Sequence, residues 1–149
     1  MTQDEKKFLL LMTRLTEKIM IGNDSIDEDI SALNTYYAGD NMYCQKIFET
    51  FRTFSEKDFI KTNKNMIKKL FTETKALTDQ RRNQLIGMVE LNSLDYSDKE
   101  SLESFVNQAI SMDNPEFEYL NGVVRVAISL KDRTKIKHVL DKISTIQIQ

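Results

Sequence analysis

"IGNDSIDEDI", residues 21–30, follows directly on a leucine- and methionine-rich run, "FLLLMTRLTEKIM", that ends at Met20. Two readings compete for it. Its oxygen-bearing side chains suit a calcium loop, and the same residues suit the joint between two helices. An EF-hand loop places oxygen ligands at positions 1, 3 and 5, glycine at 6 and glutamate at 12. Started at Asn23, position 6 is Glu28 and position 12 is Asn34; started at Asp24, position 3 is Ile26, which cannot ligate. The stretch therefore reads as a helix–corner–helix joint. Gly22 ends the helix before it. Ser25 and Glu28 have the spacing of a capping box for the helix after it. The carboxylates fall in that helix's first turn, where they interact favourably with unsatisfied N–H groups. A weak divalent-cation site on Asp24, Asp27, Glu28 and Asp29 is the second reading.

Working outward, the apolar residues keep helical spacing on both sides of the corner. Phe8, Leu11, Met12, Leu15 and Ile19 stripe a first helix over 4–21, with Thr2 and Glu5 as its capping box. Leu9, Leu10, Met20 and Ile21 widen that stripe and predict burial on more than one side. Ile26, Ile30, Leu33 and Tyr37 face inward on a second helix, which ends at the turn 38–41. A third helix over 42–54 turns Met42, Ile47, Phe48, Phe51 and Phe54 inward. A fourth over 56–76 starts at a Ser55–Asp58 cap, and a fifth at Thr78 or Asp79. Ser97 and Glu100 box the start of a sixth, and Pro115 sits as the first residue of a seventh. Residues 123–130, "VVRVAISL", are β-branched enough for a strand. With "IQIQ" at the end, the tail then reads as a β-α-β element and the fold as α+β. Pro115 with the acidic Glu116 and Glu118 favours a helix to about 130 and another over 133–144. The expected fold is an all-α, single-domain bundle of seven to eight helices.

Composition narrows the class. Four glycines and one proline in 149 residues are too few for the turns of a β-sandwich or barrel. Apolar residues at 40% and charged residues at 30% suit a folded chain rather than a disordered one. No stretch approaches the roughly 20 apolar residues of a membrane span. Neither a secretory signal nor a second cysteine beside Cys44 is present, so a cytoplasmic setting is expected. With 21 basic and 23 acidic residues, composition makes no case for nucleic acid.

The corner at 25 has a counterpart at 97. Leu15 aligns with Leu85, Ile19 with Val89 and Ile21 with Leu91 at an offset near 70, and the boxes align at 72. The chain is thus a loose duplication of a helix–corner–helix unit. This layout resembles the tellurite-resistance TerB-like domains over residues 5–112. "YSDKE" (96–100) and "SIDED" (25–29) match the end of that family's corner pattern. The family's Asp-Gly pair is replaced by Asn23–Asp24 and Ser93–Leu94, and its closing glutamate by Ile30 in the first corner. The resemblance implies an all-helical accessory domain of cytoplasmic stress response or defence, without catalysis.

Three constellations remain. Lys57, Lys61, Lys64 and Lys68, at i, i+4, i+7 and i+11, form a basic stripe, with Lys69, Arg81 and Arg82 close in sequence. That face can dock an acidic protein partner, or neutralise nucleic-acid phosphates without reading bases. Cys44 and His138 are the sole members of their types, and an enzyme would have to unite them at long range. Tyr36, Tyr37, Phe48, Phe51 and Phe54 are an aromatic run at helical spacing, with core as the first reading and a ligand pocket as the second. The expected function is a non-enzymatic binding or adaptor domain. Its partner is a protein, and exposed Met and aromatic residues are equally suited to a homodimer. Nucleic-acid binding through 57–82 and weak divalent-cation binding are the alternatives.

Overall fold

The computed structural model describes residues 1–146, except the side chains of Thr62 and Glu118. All described regular structure is helical, in the order α1 (Gln3–Met20), α2 (Asp27–Tyr37), α3 (Asn41–Phe54), α4 (Lys57–Glu73), α5 (Asp79–Asn92), α6 (Lys99–Ser111), α7 (Phe117–Leu130) and α8 (Arg133–Thr145). Residues 123–130 lie inside α7, so the β-α-β alternative falls away. Their β-branched side chains fit a helix because Val123, Val126 and Ala127 share one buried stripe. Residues 147–149 of "IQIQ" lie outside the described residues. No described helix is long and apolar enough to cross a membrane.

The chain divides into two compact units, 1–89 and 90–149, with the boundary inside α5. In the first unit α4 packs against both α1 and α3. Its core is the expected stripe of α1 and α2: Phe8, Met12, Leu15, Ile19, Ile26, Ile30, Leu33 and Tyr37 are all buried. Phe51, with its ring centroid 6.1 Å from Phe54 and 5.3 Å from Phe71, fills the centre. In the second unit α6, α7 and α8 pack pairwise. Leu102, Phe105, Val106, Val123, Val126 and Val139 form its core. Gly122 packs there against the Leu91 side chain, which would have to shift to admit a Cβ. Phe105 meets Tyr119 edge-on, 5.2 Å between centroids, and burial pushes the Tyr119 phenol up to about 12, with Glu90 adding to the shift.

The corners correct several local readings. The Thr2–Glu5 box forms, with both hydrogen bonds at 3.1 Å. Neither of the later boxes does. α2 starts at Ile26 with no side-chain cap, and α6 is capped by Asp98, which takes the Ser101 N–H. Ser25 and Ser97 instead give their own N–H groups to Asn23 and Asp95, 2.9 Å in both cases. Each corner is thus an Asx turn, which competes with capping for the same serine. The two turns lie 72 residues apart, as do the ends of α1 and α5 and the starts of α2 and α6. The duplication is closer in backbone than in sequence. Ser55 does not cap α4 either; its hydroxyl turns back to the Arg52 carbonyl and Glu56 takes the cap position. Pro115 stands just ahead of the Glu116 cap rather than inside α7.

Side-chain burial also departs from the widened α1 stripe. Leu9, Leu10, Met20 and Ile21 are 51%, 46%, 65% and 70% exposed, so α1 is buried along one side alone. Met42, expected inward, is exposed as well. It stands in the first turn of α3, directly after the Asp40 cap that takes its N–H.

α1 ends in a Schellman turn. Gly22, at φ +73°, gives its N–H to Ile19, and Asn23 gives its N–H to Lys18. The Ile19 carbonyl takes a second hydrogen bond, 2.7 Å, from the Asn63 carboxamide. Asn63 leaves helical geometry (φ −132°, ψ 23°), and α4 kinks there into two segments. The far end of α4 is held in the same way: Asn34 donates to the Glu73 carbonyl and accepts from the Lys75 N–H.

Asn63→Ala removes one of the two donors to Ile19 and lowers stability by about 0.5–1.5 kcal/mol in urea titration; an unchanged midpoint contradicts the role given to the kink. Tyr119 ionises later in the folded protein than its ordinary value of about 10. Its contribution to stability is full below pH 10 and is lost as pH rises from there through about 12. Melting temperatures measured from pH 9 to 12 should fall less steeply in Tyr119→Phe.

Candidate functional site

The exposed side of α1 is not uniformly polar. Lys6, Lys7, Leu10 and Arg14, at i, i+1, i+4 and i+8, fall on one face of the helix. With Leu11 they form one wall of a groove of about 450 Å³, and Ala32 and Tyr36 of α2 form the other. Leu10 and Tyr36 are 46% and 57% exposed, so apolar surface is open at the centre. The Lys7 ammonium sits 3.5 Å from the centre of the Tyr36 ring, which holds both side chains in place. Three cations and no carboxylate stand among the described residues that line the groove.

α2 is held beside α1 by a clasp at the corner. Lys18, in the last turn of α1, reaches Asp29 Oδ2 at 2.7 Å and the Ser25 carbonyl at 3.1 Å. Asp29 is buried and Lys18 half-buried, so this ion pair is partly withdrawn from water.

Asp29 is committed to Lys18 and Asp27 to Lys69 at 2.7 Å. Asp24 and Glu28 are exposed. No three His, Cys, Asp or Glu side chains among the described residues come together as metal ligands would. In the basic set, the α4 kink at Asn63 falls between Lys61 and Lys64, so the stripe does not run along one straight helix. Lys57 and Lys61 are exposed, while Lys64, Lys68 and Lys69 are half-buried. The Asp27 hydrogen bond raises the Lys69 ammonium above its ordinary value. Arg82 is folded inward: it donates to the Phe71, Thr74 and Leu77 carbonyls and pairs with Asp79 at 2.7 Å. It holds the chain together where α4 ends. Arg81 lies over Phe48, 4.9 Å from its centroid. Cys44 is half-buried on α3, its thiol donating to the Tyr37 carbonyl; burial pushes the thiol up, away from a reactive thiolate. His138 is exposed on α8.

Of the aromatic run, Tyr37, Phe51 and Phe54 are core. Tyr36 and Phe48 are not, and each carries a cation on its face. Lys6, Lys7, Leu10 and Arg14 were not expected as site residues. The signal was present: a leucine out of phase with the core stripe, bracketed by cations three and four residues away.

No family model, curated protein or solved structure matches the chain.

Proposed function

We propose that this chain is a non-enzymatic protein-binding domain that docks an acidic, amphipathic segment of another protein in the α1–α2 groove. One observation carries the reading: open apolar surface at Leu10 and Tyr36 lies among Lys6, Lys7 and Arg14, with no lining carboxylate among the described residues. Such a groove accepts the apolar face of a helix, while its rim attracts flanking acids and repels basic partners. The partner's apolar side chains would cover Leu10 and the free edge of Tyr36, and its carboxylates would meet the three cations. The resemblance of its sequence to TerB-like domains is what supports a setting in cytoplasmic stress response or defence.

The test is fluorescence anisotropy with labelled peptides of alternating leucine and glutamate at helical spacing. Lysine-for-glutamate and serine-for-leucine peptides and a short DNA duplex serve as comparisons. The acidic amphipathic peptide binds and the two altered peptides do not. Leu10→Asp and Arg14→Glu each weaken binding about tenfold, a loss of about 1.4 kcal/mol. Melting temperatures stay unchanged because both side chains are solvent-facing. Steeply salt-dependent binding of the duplex with no peptide binding would overturn the reading in favour of nucleic acid.

A further inference from the structure

The first unit holds a second and larger cavity, of about 890 Å³, between α3, the start of α5 and the loop that precedes it. Its size is that of sites for small organic molecules. Lys75 and Arg81 supply two positive charges, and no carboxylate stands among the described lining residues. Asp40, Glu49 and Asp79, acids near these residues in sequence, do not line the cavity, and each has a hydrogen-bond or ion-pair partner. Asp40 accepts the Met42 and Tyr43 N–H groups, Glu49 accepts from the Gln45 amide, and Asp79 pairs with Arg82. Arg81 is fixed over the face of Phe48, and a guanidinium stacked in this way keeps its in-plane N–H groups for an oxyanion. The remaining polar lining is neutral: the Thr78 hydroxyl, the Cys44 thiol and carboxamides at Asn41, Gln45, Gln80 and Gln84, of which Gln45 keeps its oxygen while its amide is bonded to Glu49. Each carboxamide both donates and accepts.

We propose that this cavity binds a small phosphate monoester with a polar, hydrogen-bonding body, of the mononucleotide or sugar-phosphate class. Two cations without a carboxylate match a phosphate monoester, which carries about −1.5 to −2 charge at pH 7, better than a singly charged carboxylate. The carboxamides match the body, because a ring of hydroxyls or a base edge presents donors and acceptors together. This site shares no lining residue with the α1–α2 groove, and either assignment can fail without the other.

Cys44 lines the cavity and is the one cysteine of the chain, so its alkylation reports occupancy without interference. The experiment measures the rate of Cys44 alkylation by iodoacetamide in the full chain, with calorimetry in parallel. The probes are AMP, glucose 6-phosphate, inorganic phosphate and adenosine. At least one ester should slow alkylation about fivefold at saturation, and adenosine should not. Protection by AMP alone identifies a nucleotide body, and protection by both esters identifies a general polar one. Lys75→Gln and Arg81→Gln should each weaken the ester about tenfold. Lys75 is exposed, so its substitution reads binding alone even if Arg81→Gln disturbs the Phe48 contact. The proposal is overturned if neither ester protects Cys44, if protection is unaltered in both variants, or if inorganic phosphate binds as tightly as the esters.

Discussion

The carboxamide of Asn63, 2.7 Å from the carbonyl of Ile19, is the contact on which the first unit turns. A helix end leaves carbonyls without partners, and burying one unsatisfied costs about 1–3 kcal/mol. The Gly22 N–H already satisfies the Ile19 carbonyl; Asn63 adds a second hydrogen bond that ties α4 to the end of α1, and α4 gives up one residue of helical geometry there. With Gly22 in the left-handed region and Lys18 bound to both Ser25 and Asp29, the end of α1 is fixed on three sides. The direction in which α2 leaves follows from that. The groove between α1 and α2 exists because the corner sets the two helices side by side while leaving Leu10 and Tyr36 uncovered.

The same device recurs at the other end of α4. Asn34, from α2, holds the Glu73 carbonyl and the Lys75 N–H, and Arg82 takes three further carbonyls near the turn. Polar side chains thus satisfy backbone groups where helices end, and the apolar stripes are left to pack. This also decides which cations remain for partners. Arg82 and Lys69 are drawn into the fold, whereas Lys6, Lys7 and Arg14 are lining residues of an open groove.

Much of the architecture was legible in the sequence. The inward residues of α1, α2 and α6 followed from 3.6-residue spacing, because burial of one face is what selects that spacing. The Thr2–Glu5 box and the Gly22 terminus were legible because each depends on residues close in sequence. The Ser25 and Ser97 boxes misled for a definite reason: an Asx side chain two residues earlier claims each serine's N–H first. The kink at Asn63 was not legible, since its partner Ile19 is 44 residues away. The groove was half legible. Leu10 was visible as an extra apolar residue, but whether such a residue widens a core or opens on solvent depends on what the neighbouring helices cover. The basic stripe showed the opposite limit: four evenly spaced lysines imply one face only if the helix is straight.

The central claim is that the α1–α2 groove is the docking surface of the first unit. Backbone amide shifts of the isotope-labelled protein, followed as an acidic amphipathic peptide is added, test it most directly. The account predicts saturable shifts confined to Lys6, Lys7, Leu10, Arg14, Ala32, Tyr36 and their neighbours, with Lys57 to Lys69 unmoved. Shifts centred on Lys57 to Lys69, or no saturable shift at all, would contradict it.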